Sequence, residues 1–175
     1  MDLKATIRAI PDHPKPGIVF RDLTTLMGDP TAFQATCGAL ADAYKSQGIT
    51  HVAGIEARGF IFGAAVADRL NVAFVPVRKA GKLPADTYAR SYALEYGEDT
   101  VEIHRDAVGS GAKVLLVDDL LATGGTAAAS VELIRETGAE LVQAAFVVEL
   151  VGLPGRAKLA DLGVETLALT TFQED

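Results

Sequence analysis

The chain has 175 residues, of which 49% are hydrophobic, and its formal net charge at pH 7 is −7. One domain of this length buries about 70% of its unfolded surface and needs no disulfides to fold. The acidic balance argues against nucleic-acid binding, which relies on Lys and Arg contacts to phosphates, and we expect no membrane association, because the sequence shows neither a signal-peptide pattern nor a membrane-spanning apolar run.

Cysteine and histidine usage narrows the class of protein further. Cys37 is the single cysteine, so no intrachain disulfide can form, and we expect a cytoplasmic location. Cys37 lies in a helix-like segment and is predicted to be a small buried residue rather than a nucleophile. The three histidines are far apart and lack metal-ligand spacing, so no side-chain metal site is predicted.

Helical and strand patterns alternate along the chain. Residues 12–30 are rich in Pro and Gly and are predicted to be irregular, with a short extended piece at 18–20. Predicted helices cover residues 31–47, 59–70 and 126–137. Predicted strands cover residues 51–55, 73–77, 114–117, 140–149 and, more weakly, 166–169. This order indicates an α/β fold with a mostly parallel sheet flanked by helices.

The polar segment between residues 78 and 111 interrupts that alternation. A long insertion in a compact α/β domain is usually functional or disordered. Its first part, RKAGKLPADTYAR at 78–90, carries three net positive charges in an otherwise acidic chain. We interpret it as a mobile lid over an anion.

The sequence VLLVDDLLATGGTAAAS at 114–130 combines an apolar strand, two carboxylates and a glycine-rich turn into a helix. Free amides at the start of such a helix, together with threonine hydroxyls, suit a phosphate. The lysine of a Walker A loop is missing. Asp118 and Asp119 suit the two hydroxyls of a diol, because carboxylates accept hydrogen bonds. A phosphate beside a diol indicates a ribose 5-phosphate.

A second anion site is predicted in GIEARGFIFG at 54–63, which also runs from strand through loop to helix. Arg58 and Gly59 fall at the start of the helix, where free amides and a guanidinium converge. Two such sites predict a ligand that carries phosphates at two places.

The stretch LLVDDLLATGGTAAAS resembles the phosphoribosyl diphosphate (PRPP) motif of type I phosphoribosyltransferases. Four further segments are similar to the adenine-specific branch of that family: PKPGIVFRD (14–22), GIEARGFIFG (54–63), VPVRKAGKLP (75–84) and ALEYGEDTVEIHRDAV (93–108). The resemblance covers nearly the whole chain. It implies a single phosphoribosyltransferase domain over 1–175, with an N-terminal hood over about 1–30 and a mobile loop or hairpin over about 78–100.

The resemblance also implies an activity. The expected reaction transfers the 5-phosphoribosyl group of PRPP to adenine and gives AMP and diphosphate, as in purine salvage. Mg²⁺ is the expected cofactor, held by ligand oxygens and waters rather than by protein side chains. A homodimer is the expected assembly.

Residue roles follow from the same resemblance. The diphosphate is assigned to Arg58, to the amides of Ala57 and Gly59, and to Lys79 and Lys82, the last in its own or the partner subunit. The ribose hydroxyls are assigned to Asp118 and Asp119. The 5-phosphate loop comprises Ala122, Thr123, Gly124, Gly125 and Thr126. Many family members have Ser in place of Ala57, and the peptide bond between Glu56 and Ala57 is expected to be cis.

Base recognition and proton transfer are assigned in the same way. Backbone groups near Val19 and Arg21 are expected to read the adenine edge, with Phe20 stacked on one face of the base and Leu150 on the other. Glu95 matches the proposed general acid/base and Tyr96 belongs to the mobile loop. Glu95 and Arg58 are the expected catalytic residues.

Three alternatives stay open at this point. The first is the same chemistry on xanthine, guanine or hypoxanthine. The second is a purine or PRPP sensor without activity, although the net charge of −7 and the single-domain length argue against a nucleic-acid-binding regulator. The third is a relative of ribose-phosphate kinases, but the chain lacks a nucleotide-binding half.

Overall fold

A computed structural model describes residues 2–94 and 96–174. Its strands are β1 (Arg8–Pro11), β2 (Val19–Asp22), β3 (His51–Ile55), β4 (Ala73–Lys79), β5 (Thr87–Ala93), β6 (Glu98–His104), β7 (Lys113–Leu121), β8 (Glu140–Val151) and β9 (Thr166–Gln173). Its α-helices are α1 (Thr24–Gly28), α2 (Pro30–Asp42), α3 (Arg58–Leu70), α4 (Gly125–Glu136) and α5 (Gly155–Asp161).

The main sheet has seven strands in the order β5-β6-β4-β3-β7-β8-β9. Strands β4, β3, β7, β8 and β9 pair in parallel, whereas β6 pairs antiparallel with β4 and β5. This arrangement confirms the predicted α/β fold with a mostly parallel sheet.

Helices cover both faces of the sheet. On β7, Val114 and Leu116 belong to a core shared with α4 and α5. The alternating residues Leu115 and Val117 belong to a second core shared with α1, α2 and α3. All four side chains are fully buried. A strand buried on both faces must be apolar at every position, which is why VLLV appears as a continuous run.

The N-terminal segment is more ordered than its Pro and Gly content indicated. It contains β1, β2 and α1, and β1 pairs antiparallel with β2 in a separate two-stranded sheet. Arg8 and Asp22 form an ion pair of 2.5 Å across this sheet. Hydrogen bonds from Thr24 and Arg8 lower the pKa of Asp22 to about 2. Strand β2 overlaps the extended piece predicted at 18–20, whereas β1 and α1 were not predicted and are ordered by tertiary contacts.

Helix α2 begins where the sequence predicted and ends earlier. The Asp29 carboxylate accepts hydrogen bonds from the amides of Thr31 and Ala32 at 2.8 and 2.9 Å, as an N-cap does. Pro30 follows at the first helical position. The helix ends at Asp42, and turns occupy the remaining residues up to Gly48, which has φ of +68°.

Replacing Asp29 with alanine should lower the free energy of unfolding by about 1 kcal/mol, because two amides lose their acceptor. In a protein of this length that corresponds to a fall in Tm of about 2–4 °C. Thermal unfolding followed by circular dichroism measures the change. Asp29→Asn keeps a side-chain oxygen and is the matched control; equal losses in both variants would contradict a capping role.

The polar segment 78–111 is not a structureless loop. It forms the β5–β6 hairpin, which extends the main sheet through pairing of β6 with β4. Val101 and Ile103 of β6 are fully buried. Arg90 of β5 forms ion pairs with Glu132 and Glu136 of α4 at 3.2 and 2.7 Å. The two strands of the insertion are therefore packed, whereas the backbone at 80–86 and 105–111 is irregular.

Cys37 lies in the core and is 1% exposed, as predicted. Burial raises the pKa of its thiol to about 11, so the nucleophilic thiolate is disfavoured. Among the described residues, no helix combines the length and the apolar character needed to cross a membrane.

Candidate functional site

A cavity of about 320 Å³ lies at the carboxyl ends of β3 and β7. Ligands of open α/β sheets bind at this edge. The cavity brings together residues from both predicted anion sites and from the basic segment. Its lining comprises Ile55, Glu56, Ala57, Arg58, Lys79, Asp118, Asp119, Leu120 and Thr126.

The glycine-rich turn joins β7 to α4. Gly124 has φ of +76°, and a Cβ there would lie 2.8 Å from the Cα of Gly155, so a larger residue is excluded on both grounds. The amide of Gly155 donates a hydrogen bond of 3.1 Å to the carbonyl of Ala122 and holds the turn. The first amides of α4 have no intrahelical acceptor and lie at the positive end of the helix. This end of α4 can bind a phosphate.

Asp118 and Asp119 occupy the last part of β7, which continues to Leu121. Asp119 is buried and forms an ion pair with Arg58. One carboxylate oxygen of Asp118 accepts a hydrogen bond of 2.9 Å from the amide of Asp119. Burial, and then the charge of Asp119, raise the pKa of Asp118 well above its usual range. The Asp118 carboxyl group therefore keeps its proton to a higher pH than an ordinary aspartate does.

Arg58 is the first residue of α3, and its side chain is 48% exposed. The peptide bond between Glu56 and Ala57 is cis, as the resemblance implied. Gly59 lies so close to β7 that a Cβ would be 2.7 Å from an Asp118 carboxylate oxygen and 3.0 Å from the Val117 carbonyl. Glycine at this position allows the start of α3 to meet the acidic pair.

The sequence placed Glu56 only at the expected cis peptide bond and Arg78 only in the basic segment 78–90, and assigned neither residue a contact in the site. The Glu56 carboxylate accepts hydrogen bonds from Arg78 Nε at 2.9 Å and from the Lys79 amide at 3.0 Å. Arg78 also donates to the carbonyl of Lys82 at 3.4 Å. Glu56 thus fixes the end of β4 and, through Arg78, the loop that carries Lys82. Nothing in the local sequence indicates this pairing, which depends on β3 lying beside β4.

Lys79 ends β4 and lines the cavity. Its ammonium contacts the hydroxyl of Tyr92 at 2.7 Å and pairs with the carboxylate of Asp99. Burial alone would lower the pKa of Lys79, but the hydrogen bonds to Asp99 and Tyr92 raise it above its ordinary value. Lys79 is therefore charged. Lys82 is exposed on the following loop and is not part of the cavity lining.

The residues assigned to base recognition lie in the hood and on β8. Val19, Phe20 and Arg21 are half-buried in β2, and Leu150 is half-buried near the end of β8. The Arg21 guanidinium lies 4.2 Å from the ring centre of Phe172, which pairs with Leu150 between β9 and β8. Arg21 therefore attaches the hood strand to the carboxyl end of the sheet.

Glu95, the expected general acid/base, lies outside the described residues. Its neighbour Tyr96 is 83% exposed, and Lys15 lies 5.9 Å from the centre of the Tyr96 ring. Within residues 2–94 and 96–174, no group of three or more His, Cys, Asp or Glu side chains could hold a metal ion.

A larger cavity, of about 760 Å³, lies near the amino ends of β8 and β9. Its lining includes Gln143, Arg156 and Leu167 and none of the residues predicted to bind the ligand. Arg156 already pairs with Glu149 and donates a hydrogen bond of 2.9 Å to the Thr166 carbonyl. The chemistry-bearing residues therefore favour the smaller cavity at the carboxyl edge.

Comparisons with known proteins place this geometry in context. The sequence model of the phosphoribosyl transferase domain matches residues 28–161. The adenine phosphoribosyltransferase of Shewanella loihica is 56% identical over 171 residues, which cover 98% of this chain and 94% of the relative.

Solved structures show the same similarity. Adenine phosphoribosyltransferase from Thermoanaerobacter pseudethanolicus has a TM-score of 0.93 at 48% identity and covers 98% of both chains. The enzyme from Giardia lamblia complexed with 9-deazaadenine has a TM-score of 0.93 at 38% identity, over 99% of this chain and 97% of its own. The similarity therefore extends over nearly the entire chain, including the N-terminal hood.

Proposed function

Because the chain belongs to the phosphoribosyltransferase family, we infer that it transfers the 5-phosphoribosyl group from PRPP to adenine and gives AMP and diphosphate. The observation that carries this inference is the cavity at the carboxyl edge of the sheet, whose lining combines the acidic pair with residues of both predicted anion sites. PRPP has the matching order of groups, with ribose hydroxyls between a 5-phosphate and a 1-diphosphate.

Each part of the cavity then has a role in binding PRPP. The turn at 122–126 and the start of α4 receive the 5-phosphate. Asp118 and Asp119 accept hydrogen bonds from the ribose hydroxyls. Arg58, Lys79 and Lys82 receive the diphosphate, together with the amides of Ala57 and Gly59. Arg58 pairs with Asp119 and Lys79 with Asp99, and each cation retains further N–H donors for the diphosphate.

Charge stabilisation is the main contribution of the protein to the reaction. The ribose C1 gains oxocarbenium character as its bond to the diphosphate breaks, as in glycoside chemistry. Arg58 and Lys79 stabilise the negative charge that develops on the departing diphosphate. The purine nitrogen attacks C1, and no side chain needs to act as a covalent nucleophile. Glu95 is proposed to manage the purine proton, as the resemblance implies.

Adenine is proposed to bind between the hood and the end of β8. Strand β2 belongs to a two-stranded sheet and has one edge without a strand partner in that sheet. Val19 and Arg21 are two residues apart, so their backbone groups face the same edge. We propose that this edge reads N6 and N1 of adenine, and that Phe20 and Leu150 contact the two faces of the ring.

The donor set fits Mg²⁺ that is carried by PRPP. Arg58 already pairs with Asp119, and the pKa of Asp118 is raised, so neither carboxylate is an uncommitted anion. Asp118 and Asp119 would therefore contact the ion through ribose hydroxyls or waters. Bound Mg²⁺ would neutralise part of the diphosphate charge and so favour its departure.

Three further features remain proposals. A single domain over 1–175 is supported by the continuous seven-stranded sheet. A homodimer is supported by the resemblance, and exposed apolar side chains such as Ile61 of α3 offer contact surface. A cytoplasmic location is supported by the charge of PRPP, which does not cross membranes unaided.

The function is tested by diphosphate release from PRPP and Mg²⁺ with adenine, hypoxanthine, guanine and xanthine in parallel. We expect release with adenine only, because the hood presents one fixed donor and acceptor pattern. Glu95→Ala should lower kcat by about two to four orders of magnitude, as loss of a general acid/base does. Glu98→Ala changes an exposed acid at the start of β6 and is the matched control.

The outcomes separate the alternatives. Preference for an oxopurine would be consistent with the proposed PRPP site, but it would overturn the proposal that the hood recognises adenine. Binding of PRPP without turnover on any base would favour a sensor.

A further inference from the structure

Tyr92 contacts Lys79 and the start of α4, the two parts of the site that are proposed to bind the diphosphate and the 5-phosphate. It is the sixth residue of β5 and pairs across the hairpin with Asp99 of β6. Its hydroxyl contacts the ammonium of Lys79 at 2.7 Å and donates to the Asp99 carboxylate at 3.2 Å. Three adjacent strands therefore contribute one residue each to a cluster around the lysine that faces the diphosphate site.

The ring of Tyr92 makes a second contact, with the phosphate turn. A Cβ on Gly125 would lie 3.0 Å from Cδ2 of this ring and 3.6 Å from the carbonyl of Ala93. Gly125 is the first residue of α4, whose amides are proposed to bind the 5-phosphate. The ring therefore packs directly against the start of the helix that holds the other end of PRPP.

The strand that carries Tyr92 is itself attached to α4. Arg90, two residues earlier in β5, forms ion pairs with Glu132 and Glu136 on that helix. The Tyr92 ring packs against the core that includes α4 and β6. The position of Tyr92 is therefore fixed relative to the 5-phosphate site. The contact between its hydroxyl and the Lys79 ammonium then fixes the position of Lys79 relative to the same site.

Resting on the proposed function, we propose that Tyr92 is a positioning residue that sets the distance between the Lys79 ammonium and the 5-phosphate turn. Its hydroxyl holds Lys79 towards the diphosphate, and its ring supports Gly125. Asp99 assists by keeping the lysine charged, since the hydrogen bond donated by Lys79 lowers the pKa of Asp99. PRPP contacts both Lys79 and the start of α4, so we expect Tyr92 to affect the binding of PRPP and not the binding of adenine.

Two substitutions separate the two contacts. Tyr92→Phe removes the hydroxyl and retains the ring, so it should weaken binding of Mg²⁺-diphosphate about tenfold, as loss of a hydrogen bond to a charged group does. It should leave the affinity for ribose 5-phosphate unchanged. Tyr92→Ala also removes the ring and should weaken the binding of both ligands. Calorimetric titration of each ligand measures the four affinities.

Steady-state kinetics distinguish a positioning role from a purely structural one, because a loss of structure would not change KM for PRPP alone. Tyr92→Phe should raise KM for PRPP about tenfold and leave KM for adenine unchanged. In a Lys79→Met background the same substitution should have no further effect, because the hydroxyl acts through the lysine. Tyr88→Phe is the matched control: Tyr88 lies on the same strand, beside Arg105, and pairs with Ile103.

The results also distinguish this inference from the proposed function. If the unchanged protein binds neither ribose 5-phosphate nor diphosphate, the proposed function itself fails. If the unchanged protein binds both and turns over, but Tyr92→Phe behaves like Tyr88→Phe, the positioning role of Tyr92 is wrong. Additive effects of Tyr92→Phe and Lys79→Met would also overturn it.

Discussion

Replacing Arg58 with glutamine is expected to lower kcat/KM for PRPP by about two to three orders of magnitude, the effect of removing one donor to a developing charge. Arg58 begins α3, lines the cavity and is half-exposed, so its guanidinium is available to the diphosphate. Diphosphate release at varied PRPP concentration measures the loss. Arg69→Gln, at the other end of the same helix, is the matched control.

The same substitution should also destabilise the fold, because Arg58 is the cation paired with Asp119, whose side chain is 6% exposed. Adding Asp119→Asn removes the unpaired charge and should restore Tm at least in part, while activity stays low. This double variant separates loss of stability from loss of catalysis. Retention of kcat/KM within about threefold in Arg58→Gln would contradict the assignment of Arg58 to the diphosphate.

Replacing Asp118 with asparagine is expected to have opposite effects on stability and on activity. Burial and the neighbouring Asp119 raise the pKa of Asp118 in the folded protein. The folded state therefore binds this proton more tightly than the unfolded state, and the associated stability is present at acid pH and is lost as pH rises through the raised pKa. Asparagine does not ionise and avoids that loss.

The variant should therefore match the original protein near pH 4 and exceed it at higher pH, with a gain in Tm of about 2–4 °C, the change that 1 kcal/mol produces at this length. KM for PRPP should rise about tenfold or more, because the asparagine amide removes one of the two oxygens that can accept a hydrogen bond from a ribose hydroxyl. Thermal unfolding across pH 4–9 without ligand, with exposed Asp106→Asn as control, measures the first effect. A gain that is independent of pH would show that Asp118 does not titrate as described.

Local patterns were sufficient for the elements that surround the site. The continuous apolar run of β7 reflects burial on both faces, and the sequence around Asp29 and Pro30 reflects the chemistry of a helix start. The segment at 122–126 was recognisable because a glycine-rich turn before a helix has a backbone requirement that few residues meet, here φ of +76° at Gly124. Such signals are local, so the sequence carries them directly.

The hood and the insertion were less predictable. Strand β1, helix α1 and helix α5 were not predicted, and β5 and β6 have polar residues at alternate positions because one face of the hairpin is solvated. Short elements of this kind are stabilised by partners such as the ion pair between Arg8 and Asp22. The assignment of Glu95 depended on family resemblance alone, because a single glutamate has no distinctive local pattern.

The sequence by itself determined the α/β class, the acidic pair and the two strand–turn–helix segments that are proposed to bind anions, because each depends on residues that are neighbours in the chain. Only the tertiary structure decided which charges meet. Arg58 pairs with Asp119 because β3 lies beside β7, and Glu56 pairs with Arg78 because β3 also lies beside β4. Strand order and register are set by how apolar faces pack over the whole chain, and a local pattern does not contain that information.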